Sequence, residues 1–349
     1  MSYLLNKQSG QATLSGTSVT PTVSTYTLAR SILIWKFRGG YNTPVSGQVS
    51  GRKLSTTQIQ FTRNGTDGDA VIIEWELLEF DTDVTVQDLS SSYSEGTTHN
   101  IAVSSVTVSQ SFLVPGGVEG KSGSTFSADD FARWSLTSST NVERYLYEAY
   151  DATFYAQLVD YADCSVQRFN RDNQSGTQWP QTISSVTTTK VAIWASGTIR
   201  DAIGMDDIYE TYLNTSTEVQ GYAYAGGTVN DLHVQVVEFT DNTTTQHADY
   251  SVSSGTATDN ITISNIDTNL SCSMLQGCTS LGMSHGTSDD TDDDTRTTFF
   301  TTLLTSGTNL QVQRTDGTGV TAYIGYCVIT FEEEVAAVGE NAPFFGCNF

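Results

Sequence analysis

The apolar positions along the chain fall in short runs of four to eight residues, rich in Val, Ile, Thr, Tyr and Phe. Gly, Asn, Asp and Ser separate the runs, and that punctuation predicts short β-strands joined by turns. Alternation is clear in Gln58-Ile-Gln-Phe-Thr-Arg63. It is imperfect over 70–80, where Ile72, Glu74, Glu76 and Leu78 share one face and Ile73, Trp75, Leu77 and Glu79 the other. Between Phe61 and Val71, Arg63-Asn-Gly-Thr-Asp-Gly68 reads as a hairpin turn, since Asn-Gly and Asp-Gly accept positive φ. No segment sustains a 3.6-residue period for three turns, so very little helix is expected.

The pattern also repeats. Val23/Tyr26, Val103/Val106, Ile183/Val186 and Ile263/Ile266 are apolar pairs of identical spacing, each 80 residues after the last. Downstream of each pair comes a marker leucine followed by Ser, Thr, Asn or Gly: Leu54, Leu136, Leu213 and Leu304. Each unit then closes on an apolar run with an aromatic, at Phe80, Tyr161, Phe239 and Phe331. A start signal recurs at Val84-Thr-Val-Gln87 and Ser165-Val-Gln-Arg168, with a fainter version at Thr245-Gln-His247.

The reading is four tandem units, 1–81, 82–162, 163–241 and an enlarged 242–332, with a tail at 333–349. Five or six short strands in 80 residues predict an all-β chain of four small antiparallel sandwich or jelly-roll-like units. Sandwiches this small have thin cores and exposed strand edges. Stacking the units, or trimerising them, would cover those edges, and an elongated oligomer is expected.

Composition narrows the function. With 16 Lys+Arg against 39 Asp+Glu, the net charge of −23 excludes a basic nucleic-acid footprint. Hydrophobic content of 38% is too high for a disordered chain. No run of about 18 apolar residues is present, so no membrane helix is expected. Met1-Ser-Tyr-Leu-Leu-Asn-Lys7 lacks the marks of a secretory signal, which predicts synthesis in the cytoplasm. The five cysteines, Cys164, Cys272, Cys278, Cys327 and Cys347, fit no zinc ribbon. They read as buried thiols, with a disulfide through Cys347 as the alternative.

Candidate chemistry is sparse. Asp290, Asp292 and Asp294 alternate in an acidic stretch and are the candidate calcium ligands; the surrounding sequence lacks the Gly and Glu of an EF-hand. The competing reading is a solvated acidic loop, related to the Asp129-Asp130 and Asp206-Asp207 pairs. The four histidines, His99, His233, His247 and His285, have no metal-ligand spacing and sit in no hydrolase motif, so the chain reads as a non-enzyme without a cofactor. Tyr145, Tyr147, Tyr150, Tyr209 and Tyr212 belong to tyrosine-rich stretches suited to glycan or subunit contacts, or to cross-strand pairing. Pro343, Phe344, Phe345 and Phe349 form a terminal aromatic cluster that reads as a docking peptide or as packing on unit 4.

These repeats resemble tandem-repeat structural proteins of tailed-bacteriophage virions. The features that carry the resemblance are Val86-Gln87 and Val166-Gln167, Ser111-Phe-Leu113, the four marker leucines, Arg63, Arg144 and Arg314, and Val236-Val-Glu-Phe239. Unit 3 departs from it with Tyr222 near the arginine position, and unit 4 with Thr330 in place of the acid. The resemblance implies a virion location, contacts with other virion proteins, and a role in capsid decoration or as a head or tail fibre; homo-oligomerisation, with a trimer favoured, is expected from the small size of the units. A weaker likeness, to six-stranded H-type lectin sandwiches, also implies trimers but matches no sugar-site residue. The rival function is a carbohydrate-binding host-recognition adhesin.

Overall fold

The computed structural model describes residues 2–39, 47–66, 70–92, 97–119, 131–148, 152–171, 174–175, 178–198, 209–223, 228–229, 231–280, 298–317 and 321–333. Of 174–175, 209, 223, 228–229 and 278–280 it describes the backbone alone. Unit 1 contains β1 (Leu4–Leu14), β2 (Ser18–Val19), β3 (Ser31–Arg38), β4 (Ser50–Ser55), β5 (Gln58–Thr62) and β6 (Val71–Phe80). Unit 2 contains β7 (Val84–Ser92), β8 (Thr98–Ala102), β9 (Ser111–Glu119), β10 (Arg133–Ser138), β11 (Asn141–Tyr145) and β12 (Thr153–Tyr161). Unit 3 contains β13 (Cys164–Arg171), β14 (Gln174–Ser175), β15 (Gln178–Thr182), β16 (Val191–Gly197), β17 (Tyr209–Thr215), β18 (Glu218–Ala223), β19 (Thr228–Val229) and β20 (Leu232–Phe239). Unit 4 contains β21 (Thr244–Val252), β22 (Thr258–Thr262), β23 (Ser271–Ser280), β24 (Thr301–Ser306), β25 (Asn309–Gln313) and β26 (Ala322–Thr330).

One topology recurs four times. The inner sheets run β1-β6-β3, β7-β12-β9, β13-β20-β16 and β21-β26-β23. The outer sheets run β2-β5-β4, β8-β11-β10, β15-β18-β17 and β22-β25-β24; the β4–β9 and β17–β23 bridges make the first and third of these continuous with the inner sheet of the next unit, as two six-stranded sheets. All of these pairings are antiparallel, and among the described residues unit 3 alone adds a further short pair, β14–β19. The chain is therefore all-β, built of small sandwiches.

The repeated residues act at equivalent places. The backbone N–H groups of Val23 and Tyr26 bond Thr57 and Thr56 at the tip of the β4–β5 hairpin, and the pairs of the other units do the same. Each start-signal glutamine latches the backbone of the serine that follows the first residue of its pair: Gln87 on Ser104, Gln167 on Ser184 and Gln246 on Ser264. Unit 1 has the same latch, from Gln8 to Ser24, although its sequence shows no start signal.

Three expectations need correction. β5 and β6, which flank the Arg63–Gly68 stretch, do not pair with each other as a hairpin. β5 already pairs with β2 and β4, and β6 with β1 and β3, so the connection crosses from one sheet to the other. The marker leucine of unit 1 is out of phase: Lys53 pairs with Ile59 as Leu136 does with Val142, while Leu54 is exposed. Arg144 likewise sits two positions earlier than Arg63 and Arg314; it lies opposite Trp134, in the place Phe61 takes opposite Gly51.

The units are neither beads nor an extended stack. Each has a private core between its two sheets, and a fifth core draws on all four inner sheets. The closing aromatics meet there. Phe80 packs edge-on against Tyr161 (centroids 5.7 Å apart), Tyr161 against Phe239 (5.5 Å), Phe239 against Phe331 (6.1 Å) and Phe331 against Phe80 (5.0 Å). This cycle defines a pseudo-fourfold axis, and the four sandwiches close a ring around it. The imperfect alternation of β6 follows: Ile73, Trp75 and Leu77 enter the private core while Leu78 and Phe80 enter the shared one.

Ring closure covers the strand edges within a single chain. The Gln157 side chain accepts the Leu33 N–H (2.9 Å) and donates to the Leu33 carbonyl (2.7 Å), capping the β3 edge. Gln235 does the same to Leu113 on β9 (2.8 and 2.9 Å). Where unit 1 meets unit 4, two residues share the task. Glu76 accepts the Ser273 N–H (3.0 Å) and Lys36 donates to the Ser273 carbonyl (2.6 Å). Lys36 and Lys7 both pair with Glu76, at 3.1 and 2.9 Å. Burial pushes the Glu76 carboxyl up, but the two lysines and the Ser273 N–H outweigh it and hold the group below its ordinary range. Between units 3 and 4 the position is Cys327, and Thr245 Oγ1 accepts the Val191 N–H (2.9 Å).

Candidate functional site

The inner strands build a cavity at the end of the axis away from the aromatic cycle. β3, β9, β16 and β23 each run antiparallel to the last strand of their unit, so their later residues point away from Phe80 and its counterparts. Ile34, Val114, Trp194 and Met274, one from each unit and in register with Glu76, Gln157, Gln235 and Cys327, are the floor. The walls carry Trp35, Phe37, Phe131, Trp134, Phe154, Phe299 and Phe300, and the volume is about 430 Å³.

Polar lining groups are few. Lys36 is the one charged residue among the described lining residues, and it is committed to Glu76 and Ser273. Gln48, Ser196, Thr198 and Gln276 also line the cavity, Ser196 being bonded to the Trp134 backbone. Close backbone approach shapes the rim. Gly117 has φ +80° and bridges Ser50 of unit 1, and a Cβ there would collide with the Val49 carbonyl.

The sequence-predicted residues disperse. Tyr145 is half-buried, its ring covered by the Arg133 guanidinium at 4.7 Å. Tyr147 is 38% exposed. Tyr212 is half-buried beside Asp249, and burial followed by that carboxylate raises its pKa. Tyr209 is described only by its backbone on β17, and Tyr150 lies outside the described residues. Asp290, Asp292, Asp294, Pro343, Phe344, Phe345 and Phe349 lie outside them too. Among the described residues, no group of three or more His, Cys, Asp or Glu side chains could hold a metal ion.

The described histidines are held in structural roles. His233 is buried against Asn170 (2.7 Å), and burial with Arg168 and Arg133 nearby pushes its pKa down to about 3. His99 contacts the fully buried Ser91 hydroxyl (2.7 Å), and His247 donates to the Thr188 carbonyl (2.8 Å). Cys164, Cys272 and Cys327 are free, buried thiols.

Among the buried ionisable groups that sequence reasoning did not single out as site residues, two stand apart. Arg144 is fully buried in unit 2 and none of its guanidinium nitrogens makes a hydrogen bond; the cation rests 5.4 Å over the Phe154 ring. Glu210, on β17 where unit 3 bridges Gly277 of unit 4, is buried and hydrogen-bonded to the Asp249 carboxyl. Burial, then the Asp249 charge, pushes Glu210 up to about 9, so it is protonated at neutral pH. Only the neighbours these residues acquire on folding set them apart.

No protein-family model matches the chain, and none of the curated proteins matches it in sequence.

Proposed function

We propose that the chain is a non-enzymatic structural protein of a tailed-phage virion, acting through protein–protein contacts as a capsid decoration or a head or tail fibre component. The observation that carries this reading is the ring itself. Its closing aromatics and the inner edges at Leu33, Leu113 and Ser273 are consumed in holding four sandwiches together, which leaves the outer sheets for contacts with other proteins. The repeat pattern supports it through its resemblance to virion proteins, and the net charge of −23 suits an abundant surface protein repelled from packaged nucleic acid. Trimerisation would then draw on the outer faces, since the edges at the seams are already capped. The adhesin reading has weaker footing, because Arg133 occupies the face of Tyr145.

Immunogold labelling of purified particles from the source culture, run beside a glycan array with the purified chain, tests the proposal. Gold at regular positions on particles together with a blank array is expected. Label-free particles together with saturable glycan binding would overturn it in favour of the adhesin.

A further inference from the structure

We propose that the axial cavity is a binding site for a small neutral amphipathic molecule, an apolar ring or chain bearing one hydrogen-bonding group such as a hydroxyl or an amide. The inference stands independently of the virion reading. Its volume of about 430 Å³ lies in the range of ligand pockets, and its floor and walls are aliphatic and aromatic. Such a cavity alone would be a packing defect. What makes it a site is a pair of lining side chains from two different units.

Gln276 is 4% exposed, and neither its amide oxygen nor its amide nitrogen has a hydrogen-bond partner. It follows Cys272 and Met274 on the face of β23 that looks to the axis. Thr198 is 1% exposed, and its Oγ1 is likewise unpartnered. Buried polar groups are normally satisfied, and leaving one unmade is costly. Two of them lining one apolar chamber define where a ligand's polar group would sit. Gln276 offers both donor and acceptor, so a hydroxyl or amide suits it. A charged head group does not, because Lys36 is already neutralised by Glu76.

The test titrates the full chain with 2-naphthol and with naphthalene, following tryptophan fluorescence, since Trp35, Trp134 and Trp194 line the cavity. One saturable site per chain is expected for both probes. In the Gln276→Leu/Thr198→Val variant, the affinity ratio of naphthol to naphthalene should fall about tenfold while naphthalene still binds, the size of one lost hydrogen bond. Val114→Trp, which fills the floor, should abolish both; if that variant does not fold, the ratio measurement decides. Absence of saturable binding to the unmodified chain, or an unchanged ratio in the double variant, would overturn the site.

Discussion

Arg144 occupies a core position that is apolar or glycine in the other units: Phe61, Gly221 and Val312 take the equivalent places. A buried cation held only by a ring face is a net cost, and burial accordingly lowers its pKa. Arg144→Met keeps the volume and removes the charge, so it should raise stability by about 1–2 kcal/mol in urea denaturation. A loss of stability would mean that the guanidinium has an interaction the structure does not contain. Glu210 carries a signed pH effect. Its folded pKa of about 9 lies above the ordinary value of about 4.3. Between those values the folded state holds a proton that the unfolded state releases, so stability falls as pH rises through that window. Glu210→Gln should therefore match the native chain in melting temperature near pH 4 and exceed it progressively toward pH 9. An equal margin at both pH values would remove Glu210 as the titrating group.

Among the elements, the seams differ in an informative way. Two use one glutamine to cap both polar groups of an edge residue, and the seam between units 4 and 1 divides that work between Glu76 and Lys36. Lys36→Met leaves a buried carboxylate short of a partner and should cost on the order of 3 kcal/mol. Adding Glu76→Gln to it rebuilds the glutamine cap found at Gln157 and Gln235, so the double variant should recover most of that loss. A thermodynamic cycle of the two singles and the double, read by denaturant midpoint, measures this; additive losses would contradict the equivalence of the seams.

The all-β, four-unit character was legible in the sequence, because a period of 80 residues is local information; the latching role of the start-signal glutamines, the Gln8 latch of unit 1 and the extra β14–β19 pair of unit 3 were not. Neither were the seams and the cavity. Gln157 and Gln235 look like any strand glutamine, and Ile34, Val114, Trp194 and Met274 become neighbours only when four units close. Leu54 misled because Lys53, beside it, buries an aliphatic stem in the leucine's place and reaches Asp88 (3.2 Å) of the next unit.

For the whole molecule, the central claim is that four sandwiches close around one shared core. A unit cut from the ring would expose its share of that core, for unit 2 the side chains Val84, Val86, Phe112, Val114, Val159 and Tyr161. Small-angle scattering from the monomeric fraction of the full chain reads closure most directly, with mass taken from the same curve. A compact chain of 349 residues has a radius of gyration of about 20 Å, whereas four separate 80-residue units end to end would give about 35 Å. The ring predicts the first value with a single-peaked distance distribution. A value near the second, with a long tail of distances, would contradict it.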